Sequence, residues 1–353
     1  MERNDSIVTK GFLVKYNLMT SPFPRWFLIL TLGLFGLIKD TQWIIKSVSF
    51  LSSIFSSESR HKDFDTIRYA IYNVVFLSRC VIATFALDWK AFAAYIEQLS
   101  RVELDKDEES VKRINRERRI KNCVFFLSLI SYIMITTIRF LAGTRTEIHN
   151  LFTLLVDSSM HIGHFFLLNL IVDLCVCLKA AFQYINHHLA HFQISSPDPM
   201  LSELRRNRIM YSCTIRASKE AEKFARHYIA WFYFQFILFN IVNIVDLLGQ
   251  KGETSIAFVL FMALDIINTA YLTLKLVAVN SVSTDGMEDL YEISFDLKSY
   301  NLQNENNLFL NRMLWRNVGF TFSNLFLINP NFITSLLSFS LTIALMIANF
   351  LRS

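Results

Sequence analysis

Apolar residues gather in seven blocks, at roughly 26–38, 69–88, 122–143, 151–177, 228–249, 255–280 and 320–350, with polar stretches between them. Six of the blocks reach the roughly 20 residues that a helix needs to cross the hydrocarbon of a bilayer. The first, Trp26 to Ile38, is shorter and meets Lys39-Asp40 before a second amphipathic run, Trp43 to Ser56. It reads as one span continued by an interfacial helix; if both pieces crossed, there would be eight spans. The pattern predicts an all-α polytopic membrane protein with seven transmembrane helices.

The polar stretches are patterned as well. Residues 91–121 and 203–227 carry Glu/Asp and Lys/Arg at three- and four-residue spacings, which supports helix. The spans are therefore expected to continue as long helices beyond the membrane. Ser195-Ser196-Pro197-Asp198-Pro199 is the clear break. Lys and Arg are unequally shared: the N-terminus and alternate loops (88–121, 178–227, 281–318) hold 24, the complementary segments 8. Basic residues stay on the cytoplasmic side, so the N-terminus is expected in the cytosol and the C-terminus outside. That orientation excludes G-protein-coupled receptors, which present the N-terminus outside. Residues 1–280 read as a transmembrane sensing bundle with cytosolic helical loops, and 281–353 as a cytosolic anchor helix followed by the last span.

Composition agrees. Of 353 residues, 53% are hydrophobic and 18% charged, and Phe alone occurs 33 times against 9 Gly and 5 Pro. A soluble domain carries closer to about 25% charged residues. The net charge of +5 is spread over loops rather than one module, so no nucleic-acid partner is implied. No apolar N-terminal stretch ends in a small-residue cleavage site, so no signal peptide is expected. The five cysteines form no disulfide or metal pattern. No Gly-rich phosphate loop, zinc motif or nucleophile elbow is present, so neither an enzyme nor a cofactor is expected.

Ionisable residues inside spans are costly, about 2.5–3.5 kcal/mol each at a helix centre, and mark functional sites by default. Arg79, Asp157, His161, His164, Asp173, Asp246, Asp265 and Lys275 are the candidates. Asp157, His161 and His164 repeat at i, i+4, i+7 and share a face of the fourth span with Asp173 farther down. That face either lines a ligand cavity or pairs with Arg79 or Lys275. Asp265, Asn268 and Tyr271 share a face of the sixth span, and Trp231 stands near the start of the fifth. Aromatic faces with a few polar groups suit small-molecule recognition.

In the last span Thr342, Leu345, Met346 and Asn349 fall at i, i+3, i+4 and i+7, one face of a helix. Leu345 and Met346 could form a hydrophobic constriction, with Thr342 and Asn349 rehydrating ions. The same face could equally make interhelical hydrogen bonds. Thr342, five apolar residues at 344–348 and Phe350 match in register the last-helix motif of the insect chemoreceptors, with Ile343 and Asn349 where that motif has Tyr and Gln. Asn324 stands where it often has Gly. Together with the topology, this resembles the insect gustatory receptor family.

The resemblance implies a tetrameric, ligand-gated nonselective cation channel in the plasma membrane of sensory neurons. It also implies that the last helix lines the pore, that the ligand is a small-molecule tastant, and that subunits assemble as homo- or heterotetramers amid membrane lipid. Two alternatives remain: a non-conducting co-receptor subunit, or a proton-coupled secondary transporter using the intramembrane Asp and His residues.

Overall fold

The structure is a computed structural model and describes residues 7–8, 23–36, 38, 74–75, 77–142, 148–192, 197–249, 256–315 and 318–352. The run from Trp43 to Ser56, and with it the question of one crossing or two, lies outside the described residues. Helix α1 (Phe23–Leu28) runs directly into a π-helical stretch, Ile29–Leu34. A helical segment at 77–85 precedes α2 (Trp89–Ser100). Next come α3 (Glu108–Ala142), α4 (Ile148–Ala190), α5 (Pro197–Gly249) and α6 (Ile256–Val282). Short helices α7 (Met287–Asp296) and α8 (Tyr300–Leu314) precede the hairpin β1 (Thr321–Phe322) and β2 (Phe326–Leu327). The last helix is α9 (Pro330–Arg352).

The long helices extend far past the apolar blocks, as the charge spacing predicts. α5 alone is 53 residues, and its first residue is Pro197, which is tolerated in a first turn because the missing N–H has no intrahelical partner there. The 88–121 stretch is helical but broken. Asp88 caps α2 by accepting from the amides of Lys90 (3.1 Å) and Ala91 (3.0 Å). Asp107 caps α3 by accepting from the Ser110 amide at 2.9 Å.

α4 is the core of the bundle. Every position from Gly163 to Leu178 is buried, as expected for a helix apolar on all sides. It packs against α3, α5, α6 and the π-helical stretch. At Gly163 the approach of that stretch is so close that a Cβ would lie 2.2 Å from Thr31 Oγ1; only glycine fits. The outer helices behave oppositely. Phe126, Ile130, Met134 and Ile138 form an exposed apolar stripe on α3, and Val259, Leu260, Ile266, Ile267 and Leu274 are exposed on α6. Apolar belts this extensive mark a surface that meets lipid or another subunit rather than water.

Among the described residues, the helical stretches Glu108–Ile138, Leu154–Ala190 and Val259–Asp296 are long and apolar enough to cross a membrane. Shorter apolar helices run over Arg25–Leu34 and Pro330–Ile343. The last apolar block is not one span from 320. Its first ten residues make the hairpin, pairing Thr321 with Leu327 and Phe322 with Phe326, and the helix begins only at Pro330. Ser323 (φ 52°) and Asn324 (φ 62°) occupy the left-handed region at the turn, and Gly319 has φ 125°. Asn tolerates that region and Gly prefers it, so the conformation accounts for Asn324 standing at a position where the chemoreceptor motif often has Gly.

Candidate functional site

Tyr132 on α3 organises an aromatic box between α3, α4 and α6. Its ring lies 4.9 Å from His161, 5.4 Å from Phe165 and 5.4 Å from Phe261, centroid to centroid. Its hydroxyl donates to the Asp265 carboxylate. Asp265 and His161, distant in sequence, thus meet through a residue that the charge pattern does not flag. One turn farther along α6, Asn268 is 4% exposed. Its amide N donates to the Leu264 carbonyl at 2.8 Å, while its Oδ1 is buried without a partner among the described residues. The buried Tyr271 hydroxyl is open in the same way, and its ring meets Phe125 at 5.8 Å. Packed aromatic rings beside one carboxylate and two open polar atoms supply the kinds of group that small-molecule sites use.

A second group joins α4, α5 and the 77–85 segment. His164 is 5% exposed and Tyr228 Oη lies 2.7 Å from its Nδ1. Arg79 donates from Nη1 to Gln235 Oε1 at 3.0 Å, and Trp231 Nε1 donates to the Val75 carbonyl at 3.2 Å. The Arg79 charge also reaches His164, Tyr132 and Asp265, so the two groups form one electrostatic neighbourhood. Asp157 is half-buried, one turn before His161. The single stripe drawn through Asp157, His161 and His164 divides: His161 faces α3 and His164 faces α5.

Asp173 belongs to neither group, and its partners are not Arg79 or Lys275. Arg118 grips it bidentately (Nε to Oδ1 3.0 Å, Nη2 to Oδ2 2.9 Å), and Lys121 Nζ donates to Oδ1 at 2.6 Å. Arg118 also donates to the Ile7 carbonyl at 2.7 Å, tying a buried N-terminal turn to the cluster. Lys275 instead pairs with Glu117 at 2.5 Å. The cations come from the start of α3, within the charged run of residues 108–121, so this is a structural clamp and not a lining of the box.

α9 rests on α5 through Phe332 and Leu336, with Tyr233 5.0 Å from Phe332. Its other side is bare. Thr342 is exposed, Leu345 is 48% exposed and Met346 66% exposed; the Asn349 side chain lies outside the described residues. The bare side follows an alternating four- and three-residue spacing through Asn331, Ser335, Ser338, Thr342 and Leu345, the period of a coiled-coil seam, and Asn349 is the next position of that series in the sequence. All but Leu345 are polar. Ser335 and Thr342 donate their hydroxyl protons to the carbonyls of Asn331 (3.0 Å) and Ser338 (2.8 Å) one turn back. Their oxygen lone pairs remain available as acceptors. No acidic residue occurs in α9.

Comparison of this architecture with solved structures is decisive for the fold. The chain superimposes on the insect olfactory receptor OR5 from Machilis hrabei in complex with eugenol, with a TM-score of 0.68 at 12% identity, covering 95% of this chain and 92% of that one. The fold is that of an insect olfactory receptor. A second OR5 structure gives a TM-score of 0.66 at 13% identity, over 94% of this chain and 90% of the other. No protein-family model and no curated protein sequence matches. Identities this low leave backbone geometry as the common ground, so the chemistry of this chain is read from its own residues.

Proposed function

We propose that the chain is a chemoreceptor subunit of the gustatory type: a ligand-gated nonselective cation channel whose α9 helices line a shared pore. The observation that carries this reading is the uncovered seam on α9. A seam of hydroxyl and amide side chains interrupted by one leucine is ill-suited to lipid and well-suited to a closed ring of identical helices. In such a ring the hydroxyl oxygens rehydrate passing cations, and Leu345 supplies the constriction that gates by dewetting. The lack of acidic residues on α9 argues for weak selectivity among cations. Tyr291, Phe295, Tyr300 and Trp315, all exposed on or just after α7 and α8, supply an apolar surface for packing four subunits on the cytoplasmic side. The small-molecule stimulus would enter the Tyr132–Asp265 box, with Arg79, Asp157, His161, His164, Trp231, Asn268 and Tyr271 around it. Eugenol in the OR5 complex supports a ligand of that size.

The test is expression of the chain alone, with cation currents recorded across a broad tastant panel and the mass of the purified particle measured. A non-tetrameric particle refutes the reading. A second reading, a subunit that conducts only beside a partner subunit, is favoured by Ile343 and Asn349 in place of the motif's Tyr and Gln. If it holds, the homomer is silent and Ile343→Tyr with Asn349→Gln restores conductance.

A further inference from the structure

At the end of the bundle away from the aromatic box, an open cleft of about 190 Å³ separates the last turns of α4 from the first turns of α5. Tyr184, His188, Asn207 and Met210 form its floor, and Ser202, Glu203 and Arg206 its rim. Asn207 is 2% exposed, yet its Nδ2 has no hydrogen-bond partner among the described residues. A buried donor left open carries its full desolvation penalty, so the site calls for an acceptor. Arg206 is exposed at the rim, with its ion-pair partner, Glu103, 3.9 Å away, so its guanidinium can turn to an anion at the mouth. The half-buried His188 ring adds an N–H to the floor. Donors therefore outnumber acceptors around the cleft. Glu203, three residues before Arg206, sets one negative charge beside the positive one at the mouth.

We infer that this cleft binds a small zwitterionic carboxylate of the amino-acid class. The carboxylate accepts from Asn207 Nδ2 and the Arg206 guanidinium, the ammonium meets Glu203, and a short apolar side chain rests on Met210 and the Tyr184 ring. The volume is that of about six water molecules. It falls below the roughly 300–1,000 Å³ of sites for drug-sized ligands, which limits the occupant to the smaller amino acids. Glu203 disfavours a phosphate dianion. By the charge asymmetry of the loops this end faces the cytosol, so the occupant is a metabolite rather than an external stimulus. The inference does not depend on the channel reading.

Calorimetric titration of the purified full-length protein in lipid nanodiscs tests it, with L-alanine, acetate and inorganic phosphate as probes. Saturable binding of L-alanine at millimolar concentration, weaker binding of acetate and none of phosphate is the expected order. Arg206→Gln weakens both organic probes about tenfold or more, the effect of one charge-assisted hydrogen bond. Glu203→Gln weakens L-alanine and tightens acetate, a split that a merely structural residue would not produce. Asn207→Leu abolishes binding; if that variant does not fold, Ser202→Trp on the exposed rim closes the mouth without touching the core and gives the same loss. No saturable L-alanine binding, binding indifferent to Arg206→Gln and Ser202→Trp, or phosphate binding more tightly than L-alanine each overturns the proposal.

Discussion

Asp173→Asn isolates the clamp beneath the bundle. Asp173, Arg118 and Lys121 are buried, the side chains of the two cations being 5% and 1% exposed. In the native chain two cations share one carboxylate, leaving a net charge of +1; the substitution raises it to +2 and replaces the carboxylate that accepts three charge-assisted bonds with an amide that keeps one acceptor oxygen and turns a donor towards the cations. Removing one partner of a buried ion pair costs about 3–5 kcal/mol. With an unfolding entropy of roughly 2.1 cal/mol/K per residue, that lowers the midpoint by about 4–7 °C for a chain of 353 residues. Fluorescence-detected size exclusion after graded heating in detergent measures the shift. Adding Lys121→Met to Asp173→Asn returns the charge to +1, and the double variant is expected to regain part of the loss. A midpoint within a degree of wild type for Asp173→Asn, or a double variant with the full sum of both single losses, would show that the clamp carries no coupled energy and refute the reasoning.

Leu345→Ser removes the apolar interruption of the α9 seam; a raised current without ligand is expected, and unchanged resting current would remove Leu345 from the gate. Tyr132→Phe frees the Asp265 carboxylate, so the half-maximal ligand concentration should shift by about tenfold for agonists with hydroxyl groups and little for purely apolar ones, read from dose–response currents. Glu222 accepts from Thr321 Oγ1 at 2.6 Å and from Arg226. Glu222→Gln should loosen the hairpin, detected as faster backbone hydrogen exchange at 321–327. Although burial opposes it, bonds from Ser110 hold the Asp107 carboxyl below its ordinary value. Its cap is therefore fully present above the unfolded carboxylate range and is lost as pH falls through the lower folded value. Asp107→Ala should cost about 1 kcal/mol at neutral pH and nothing in strong acid, measured by thermal unfolding at both pH values.

Membrane residence, helix type and the long charged extensions were legible in the sequence because hydropathy and i, i+4 charge spacing are local signals. The hairpin at 321–327 was not, since Phe320, Phe322, Leu325, Phe326, Leu327 and Ile328 read as one apolar run. Its marks were Gly319 and Ser323-Asn324, residues suited to turns but submerged in that run. The box residues were half legible: Asp265 and His161 stood out by cost of burial, whereas Tyr132 looks like any interfacial aromatic until tertiary packing brings it to Asp265. The partners of Asp173 were not legible, because charge alone gives no address: Arg118 and Lys121 sit in a charged run that reads as a helix beyond the membrane. Of the α9 seam, helical spacing revealed Thr342, Leu345 and Asn349. Its extension back to Asn331 and the bareness of that side came from the packing of Phe332 and Leu336 on α5.

The uninterrupted length of α5 has a mechanical consequence. At 1.5 Å per residue a 53-residue helix spans about 80 Å, against roughly 30 Å of hydrocarbon. Tyr228, Trp231 and Gln235, just past its middle, and Arg206 and Asn207, about its third turn, belong to the same rod, and α9 leans on it. A tilt of about 5° pivoting at Trp231 moves a point about 40 Å away along the axis by about 3.5 Å, more slack than a close-packed interior offers. What reorients the rod near Trp231 is thereby felt near Arg206.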